Sequence, residues 1–331
     1  MNIDKLKGLV LAFLATAGWA SFYIISRYFF GTDDDGLDPL WSSLLRYLLA
    51  GFALLAAVLA MKQYSKLKSA LKSGWILMIL LGLIGIAGES TLLFYSTKFT
   101  TAARANLLTN ISPVVTAVMS WFITREVFSR KQIAGMILGT IGTFVIFFLK
   151  GGDDFTQGAA SFLTGDLMAV AAGICWSAYT VMGERAVKEY GPLVTVCLSF
   201  FAGALVMVPV CLISGSRITL DITGRGWLMI LYIGLVSNAF ANFCWYTALK
   251  YLKPGVLGSF GYVSILMTFF LAVVCLGEKV SLPFALCLAL ILLGTGMMLK
   301  IPLPGRKKPE GNERGSDHDF ERNDHKFHTG I

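Results

Sequence analysis

An arginine and a glutamate stand inside two long apolar runs of this sequence, Arg46 in the run 40–61 and Glu89 in the run 75–97. An ionisable side chain in lipid costs roughly 2.5–3.5 kcal/mol even on insertion scales, so such residues face a protein interior and mark substrate, ion or proton pathways. Arg46 lies about seven residues into its run and Glu89 about fifteen into the next. Successive spans run in opposite directions, which brings both to similar depth, in the outer half of a membrane. They either pair or bind the charged ends of an amino-acid-like substrate. The bland alternative is an ion pair that locks two helices together. Glu89 could also carry a coupling proton, as acids in pumps and transporters do.

Amides form the second group. Asn106 and Asn110 are four apart, as are Asn238 and Asn242, so each pair shares one helix face. Amides facing lipid are costly, so both pairs are expected to face a bundle interior, as interhelical glue or as substrate-recognition groups. Aromatic residues form the third. Trp41, Trp75, Trp121 and Trp227 sit at run ends, where the interfacial belt accounts for them. Trp19 and Trp176 lie mid-run instead, and Tyr23, Tyr179, Tyr246 and Tyr262 are in or near the same runs. Trp19, Trp176 and Tyr179 are candidates for an aromatic wall that suits flat or apolar-bodied substrates; core packing is the alternative.

The elements that must hold these groups are membrane helices. Of the 331 residues, 56% are hydrophobic and 15% charged, against roughly 25% charged in ordinary soluble chains. The mean hydropathy is +0.69, more apolar surface than one soluble core can hide. A span needs about 20 apolar residues. The runs are 8–29, 40–61, 75–97, 102–123, 132–149, 165–185, 192–213, 227–249, 255–276 and 282–300. The first is longer than a signal-peptide core and has a counterpart later, so it is read as a retained helix. The expected fold is an all-α integral membrane protein of ten transmembrane helices.

The net charge of +8 comes mostly from Lys and Arg in short links, a membrane-orientation pattern and not a nucleic-acid face. With a cytoplasmic N-terminus, the inner links hold Lys62, Lys66, Lys68 and Lys72, then Arg125, Arg130 and Lys131, then Arg185, Lys188, Lys250 and Lys253. The first outer link, 31–39, carries only acidic charge. Both termini are therefore expected in the cytoplasm, with the chain in a cell membrane of bacterial inner or plasma type.

An internal repeat organises the whole. A shift of 152 residues carries Gly51 onto Gly203, Trp75 onto Trp227, Gly82 onto Gly234, Lys98 onto Lys250, Glu126 onto Glu278 and Gly142-Thr143 onto Gly294-Thr295. Near the start of each half the shift is 157, which matches Trp19 with Trp176 and reflects the longer acidic link in the first half. Five spans per half is an odd number, so the halves insert with opposite topology. That is the arrangement of alternating-access transporters, with the substrate site at the repeat interface near the midplane. The expected division is 1–152, 153–302 and a polar tail from 303 to 331. The tail's composition is that of a disordered segment, and its basic start, Arg306 to Lys308, is suited to anionic lipid.

The segment Tyr95-Ser-Thr-Lys-Phe-Thr-Thr-Ala-Ala-Arg-Ala-Asn-Leu-Leu-Thr-Asn-Ile-Ser-Pro113 resembles the EamA family of the drug/metabolite transporter superfamily. So do Arg125-Glu126 and Gly277-Glu278, each closing the fourth helix of its half, and Gly18-Trp19-Ala20 with Cys175-Trp176-Ser177. The resemblance runs from about residue 7 to 300. It implies a ten-helix inverted-repeat fold and export or exchange of small metabolites, without specifying which. The second half departs from the pattern, since Pro113 aligns with Ile265 and Arg104 with Val256.

Absences narrow the chemistry further. The six cysteines lie in apolar runs and include no C-x-x-C pair; all three histidines fall in the tail. There is no P-loop, G-x-S-x-G or H-E-x-x-H motif, so no metal, cofactor or catalytic role is expected. Arg125-Glu126 and Glu278-Lys279 are accounted for by local pairing and helix anchoring. Gly135-Met-Ile-Leu-Gly139 permits close helix approach within the bundle or between copies, so the state is monomer or homodimer. The expected function is secondary transport, by export or exchange, of amino acids or related metabolites. The alternative is a lipid-handling, flippase-like or non-transporting membrane protein.

Overall fold

The structure is a computed structural model that describes residues 3–29, 38–100, 102–151, 160–276 and 282–299. All regular structure among them is helical, the expected consequence of a solvent in which each span must satisfy its own backbone. Helix α1 is Ile3–Phe29 and α2 is Pro39–Ala60. Asp38 starts α2: its Oδ1 accepts the N–H groups of Leu40 (2.9 Å) and Trp41 (3.0 Å), and Pro39 supplies the first helical turn. The chain leaves α2 through Lys62 at φ 52, with the Gln63 N–H donating to the Val58 carbonyl at 3.0 Å. A short basic helix, α3 (Tyr64–Ser73), follows.

The third rod is composite. It runs through α4 (Trp75–Leu81), a π-helical segment π1 (Gly82–Gly88) and α5 (Glu89–Phe99). The next is broken: α6 (Ala102–Thr109) and α7 (Ser112–Ile123) are separated at Asn110–Ile111, beside Pro113, which has no N–H to give. Then come α8 (Arg130–Gly151), α9 (Ala160–Tyr190) and α10 (Pro192–Ile213). A second composite rod follows, α11 (Gly224–Tyr232), π2 (Ile233–Phe240) and α12 (Ala241–Ala248). The chain closes with α13 (Pro254–Gly258), α14 (Phe260–Leu276) and α15 (Leu282–Met298).

Each apolar run of the sequence is thus built mainly of helix among the described residues. Among the described residues, six stretches are each long and apolar enough to cross a bilayer, namely Pro39–Ala60, Trp75–Phe99, Leu163–Tyr190, Pro192–Ile213, Gly224–Ala248 and Pro254–Cys275. Leu205, Leu212, Ile213, Phe270 and Val274 are exposed, the outward apolar surface that a lipid-facing helix presents.

Glycines set how closely the rods approach. The Gly135-x-x-x-Gly139 motif is used within the chain, because α8 packs along α15. A Cβ at Gly135 would lie 2.5 Å from the Gly294 carbonyl oxygen, and one at Gly294 the same distance from that of Gly135. Likewise π1 rides on α10, where a Cβ at Gly82 would sit 2.5 Å from the Gly203 nitrogen. The end of α15 is held by side chains from elsewhere. Lys5 Nζ donates to the Leu299 carbonyl (2.7 Å) and Gln132 Nε2 to that of Met298 (3.1 Å). Lys5→Met is expected to lower unfolding stability by about 1 kcal/mol, read by chemical denaturation in detergent, because a terminal carbonyl loses a charged donor.

The tail from 303, the Glu278-Lys279 pair and the side chains of Tyr23 and Arg104 lie outside the described residues.

Candidate functional site

Glu89 is the first residue after π1, on a rod whose glycines press it into its neighbours. A Cβ on Gly85 would lie 2.2 Å from the Tyr179 ring, and one on Gly88 3.6 Å from Cys175 Sγ. The end of π1, just before Glu89, is therefore pressed directly against α9. Ser90 Oγ donates to Glu89 Oε2 at 3.2 Å, and the same Oγ is hydrogen-bonded to the Tyr47 hydroxyl. With the serine proton committed to the carboxylate, Tyr47 is the donor in the second bond. The result is a relay from α2 to the acid.

Arg46 precedes Tyr47 on α2. Its guanidinium carbon is 5.1 Å from the Tyr47 ring centre and 5.9 Å from that of Phe22 on α1, a cation–π setting. Glu89 lies in the electrostatic field of Arg46. Even so, no salt bridge joins Arg46 to Glu89 among the described residues, whose ion pairs include Lys7–Asp4 and Lys188–Glu184, so the two are not locked together. Arg46 Nε is buried and has no hydrogen-bond partner. The two charges predicted from depth are thus neighbours, each with bonding capacity left over.

The mid-run tryptophans also meet, and in company. Trp19 and Trp176 pack edge to face with ring centres 5.1 Å apart. Trp245 of α12 completes a triad, 5.1 Å from Trp19 and 5.9 Å from Trp176. Its Nε1–H donates to Thr180 Oγ1 at 3.2 Å. Tyr179 continues the stack, 5.7 Å from Trp176 and 4.8 Å from Tyr246, whose hydroxyl donates to the Tyr179 carbonyl at 2.9 Å. Tyr262 belongs elsewhere: it packs with Cys287 and Ile291 and bonds Thr140 at 2.7 Å.

The two amide pairs differ in setting. Asn238, in π2, and Asn242, in α12, are 8% and 5% exposed. Asn242 Nδ2 donates to the Asn238 carbonyl at 3.0 Å, while Asn238 Nδ2 and Asn242 Oδ1 are buried with no partner. Buried amides left half-bonded are uncommon in native interiors. Asn110 Nδ2 instead donates to Asn106 Oδ1 at 3.1 Å on an exposed stretch at the break between α6 and α7.

Two contributors escaped the sequence reading, Trp245 and Tyr47. Trp245 follows Asn238 and Asn242 at helical spacing, so the face that carries both amides could have pointed to it. Tyr47 and Ser90, neighbours of the two charged residues, carry the relay. The π-helical segments left no signal beyond glycines, yet π1 ends at Glu89 and π2 contains Asn238. Such segments recur at functional sites in helices.

Half-buried charge, half-bonded amides and an aromatic cluster within a bundle of long apolar helices define a multi-pass membrane protein with an internal polar site, the class to which transporters belong. The chain belongs to the EamA-like transporter family of the drug/metabolite transporter superfamily, whose family model matches residues 6–148 and 163–300. It is 28% identical over 73% of its length to an uncharacterized transporter of Archaeoglobus fulgidus, covering 81% of that protein. It is also 24% identical to one from Clostridium kluyveri (83% and 90% covered), and 24% identical to Protein PecM of Dickeya dadantii (84% and 86% covered). A protein crystal structure with 22% identity shares the fold, at a TM-score of 0.75 over 88% of this chain and 95% of that one.

Proposed function

We propose that this membrane transporter is a ten-pass secondary transporter of amino acids or related zwitterionic metabolites, working by alternating access as an exporter or exchanger. Its two halves, 1–152 and 153–302, insert with opposite topology, and both termini face the cytoplasm. Contacts that pair across the repeat support this reading. π1 packs on α10 as π2 packs on α2, and α5 packs on α9 as α12 packs on α1. The two π-segments start at Gly82 and Ile233, within a residue of the 152-residue offset.

One observation carries the substrate class. Arg46 and Glu89 are neighbours that do not pair, and they lie in a bundle interior that also holds half-bonded amides and a tryptophan triad. In this reading a carboxylate takes Arg46 Nε and Asn238 Nδ2, an ammonium group takes Glu89 and Asn242 Oδ1, and an apolar body lies on Trp19, Trp176 and Trp245. Tyr179 backs that wall, while Asn106 and Asn110 line the exposed break in the fourth span. The same density of charge disfavours the lipid-handling alternative, which calls for an apolar path. The chain acts as monomer or homodimer in a cell membrane, with no cofactor.

The test is a profile of metabolites outside cells that overproduce the protein, beside an Arg46→Ala/Glu89→Ala control. Amino-acid-like solutes are expected to accumulate outside only with the intact chain; matching profiles would remove export. A second experiment asks whether Glu89 carries a coupling proton. With one proton per substrate, a gradient of one pH unit drives at most about tenfold accumulation in proteoliposomes. Glu89→Gln is expected to abolish that accumulation while leaving downhill exchange, and an unchanged response to the gradient would exclude a proton role.

A further inference from the structure

Glu126 follows α7 in a turn at the end of a span, yet it is only 3% exposed. The turn aims it inward. Arg125 adopts φ 55, and the N–H groups of Thr124 and Glu126 both donate to the Ser120 carbonyl, at 3.0 and 3.1 Å. A non-glycine residue held in the left-handed region is strained and needs a compensating contact. That contact is distant in sequence: Glu126 Oε2 accepts the N–H of Gly255 at 2.9 Å, in the first turn of α13.

The seam between α7 and α13–α14 is closed along its length by glycines. A Cβ on Gly255 would lie 2.4 Å from Phe128 Cζ and 2.8 Å from Glu126 Oε2. One on Gly258 would lie 2.9 Å from Thr116, and one on Gly261 3.0 Å from Pro113 Cγ. The local pairing with Arg125 that would have anchored Glu126 is replaced by a bond across the seam. First-turn amides have no intrahelical acceptor. With the seam closed, the buried Gly255 N–H has Glu126 as its acceptor; with the seam open, water could serve.

We propose that Glu126 is a positioning residue for transport, a latch that holds the fourth and ninth spans together at their cytoplasmic ends and lets go when that side opens. This rests on the two-half reading above, in which α7 and α13 belong to different halves. The charged groups around the latch are Lys253, just before α13, Glu184 at the end of α9, Lys188 paired to Glu184 at 2.6 Å, and the adjacent Arg125. Burial pushes the Glu126 carboxyl above its ordinary value; the Gly255 N–H and then Lys253 oppose this in part, and Glu184 adds to it. The latched carboxyl therefore holds a proton more tightly than a hydrated one. Its proton-linked stabilisation is complete below the ordinary carboxyl range and is lost as pH rises through the raised value. Acid favours the closed seam and alkali loosens it.

The experiment places spin labels at Val127→Cys and Lys250→Cys, both exposed positions, in full-length protein with its native cysteines replaced by alanine, and measures their separation in nanodiscs. Glu126→Ala is expected to raise the long-distance population about tenfold, because the Gly255 amide loses its acceptor. Glu126→Gln keeps an acceptor oxygen and is expected to match the parent in acid. Between about pH 5 and about pH 9 the parent should gain long distances and the glutamine variant should not. Identical distributions for the parent and Glu126→Ala would overturn the latch, as would equal pH responses of the parent and Glu126→Gln. That second comparison decides the matter if the alanine variant does not fold. These distances need no substrate. A chain that opens as described but carries no solute keeps the latch and refutes the transport reading instead.

Discussion

Arg46→Ala is expected to reduce transport of an amino-acid-like substrate by about a hundredfold or more at limiting concentration, the equivalent of roughly 3 kcal/mol in binding. The size of the effect follows from the surroundings. The guanidinium rests on Tyr47 and Phe22, its Nε has no partner, and the nearby acid is already served by Ser90. A substrate carboxylate would therefore meet a desolvated donor with little competition. Charge-assisted bonds of this kind are about twice as strong as neutral ones. Lysine should restore charge but not the planar fork, leaving Arg46→Lys between the two. Concentration dependence of flux in proteoliposomes is the measurement. A loss confined to maximal rate, with apparent affinity intact, would show that Arg46 shapes the bundle and does not hold substrate.

Gly85→Ala is expected to be severely damaging for a single added methyl, costing about 3 kcal/mol of stability, the upper part of the usual range for overpacking. The added Cβ would fall 2.2 Å from the Tyr179 ring, and that ring has nowhere to go. It is fully buried; its hydroxyl is bonded to Ser199, its carbonyl accepts from Tyr246, and Trp176 lies against it. To relieve the clash, π1 must move away from α9, and Glu89, four residues on, moves with it. Thermal unfolding in detergent should show the loss, and flux should fall in parallel. Tyr179→Ala in the same chain makes room, so the double variant should be more stable than the sum of the single effects. An unaltered melting profile for Gly85→Ala would mean that the rod tolerates a shift this packing does not allow for.

These two expectations differ in how far they could be foreseen. Arg46 and Glu89 stand out in the sequence because the bilayer makes any buried charge costly, and depth along each helix can be counted from the residue number. Trp19 and Trp176 stand out as repeat mates away from the interfaces. The amides were legible as faces, but not in their setting: Asn238 and Asn242 are buried, while Asn106 and Asn110 bond each other on an exposed break. Tyr262 reads like the other tyrosines in sequence and proves to be packing around Thr140. Periodicity reports which residues share a face, and says nothing about which neighbour that face meets.

The amino-acid sequence alone determined that this is a helical membrane protein, because hydrocarbon leaves a continuous apolar chain no other way to satisfy its amides. It determined the family through motifs in both halves, and it singled out the charged residues. What the tertiary structure decided is contact. Trp245 joins Trp19 and Trp176, Tyr47 reaches Glu89 through Ser90, and Glu126 reaches Gly255 across 129 residues. Those meetings depend on where the helices cross. The crossings are set by glycines whose missing side chains let one backbone touch another, a property of pairs of helices that no single stretch of sequence contains.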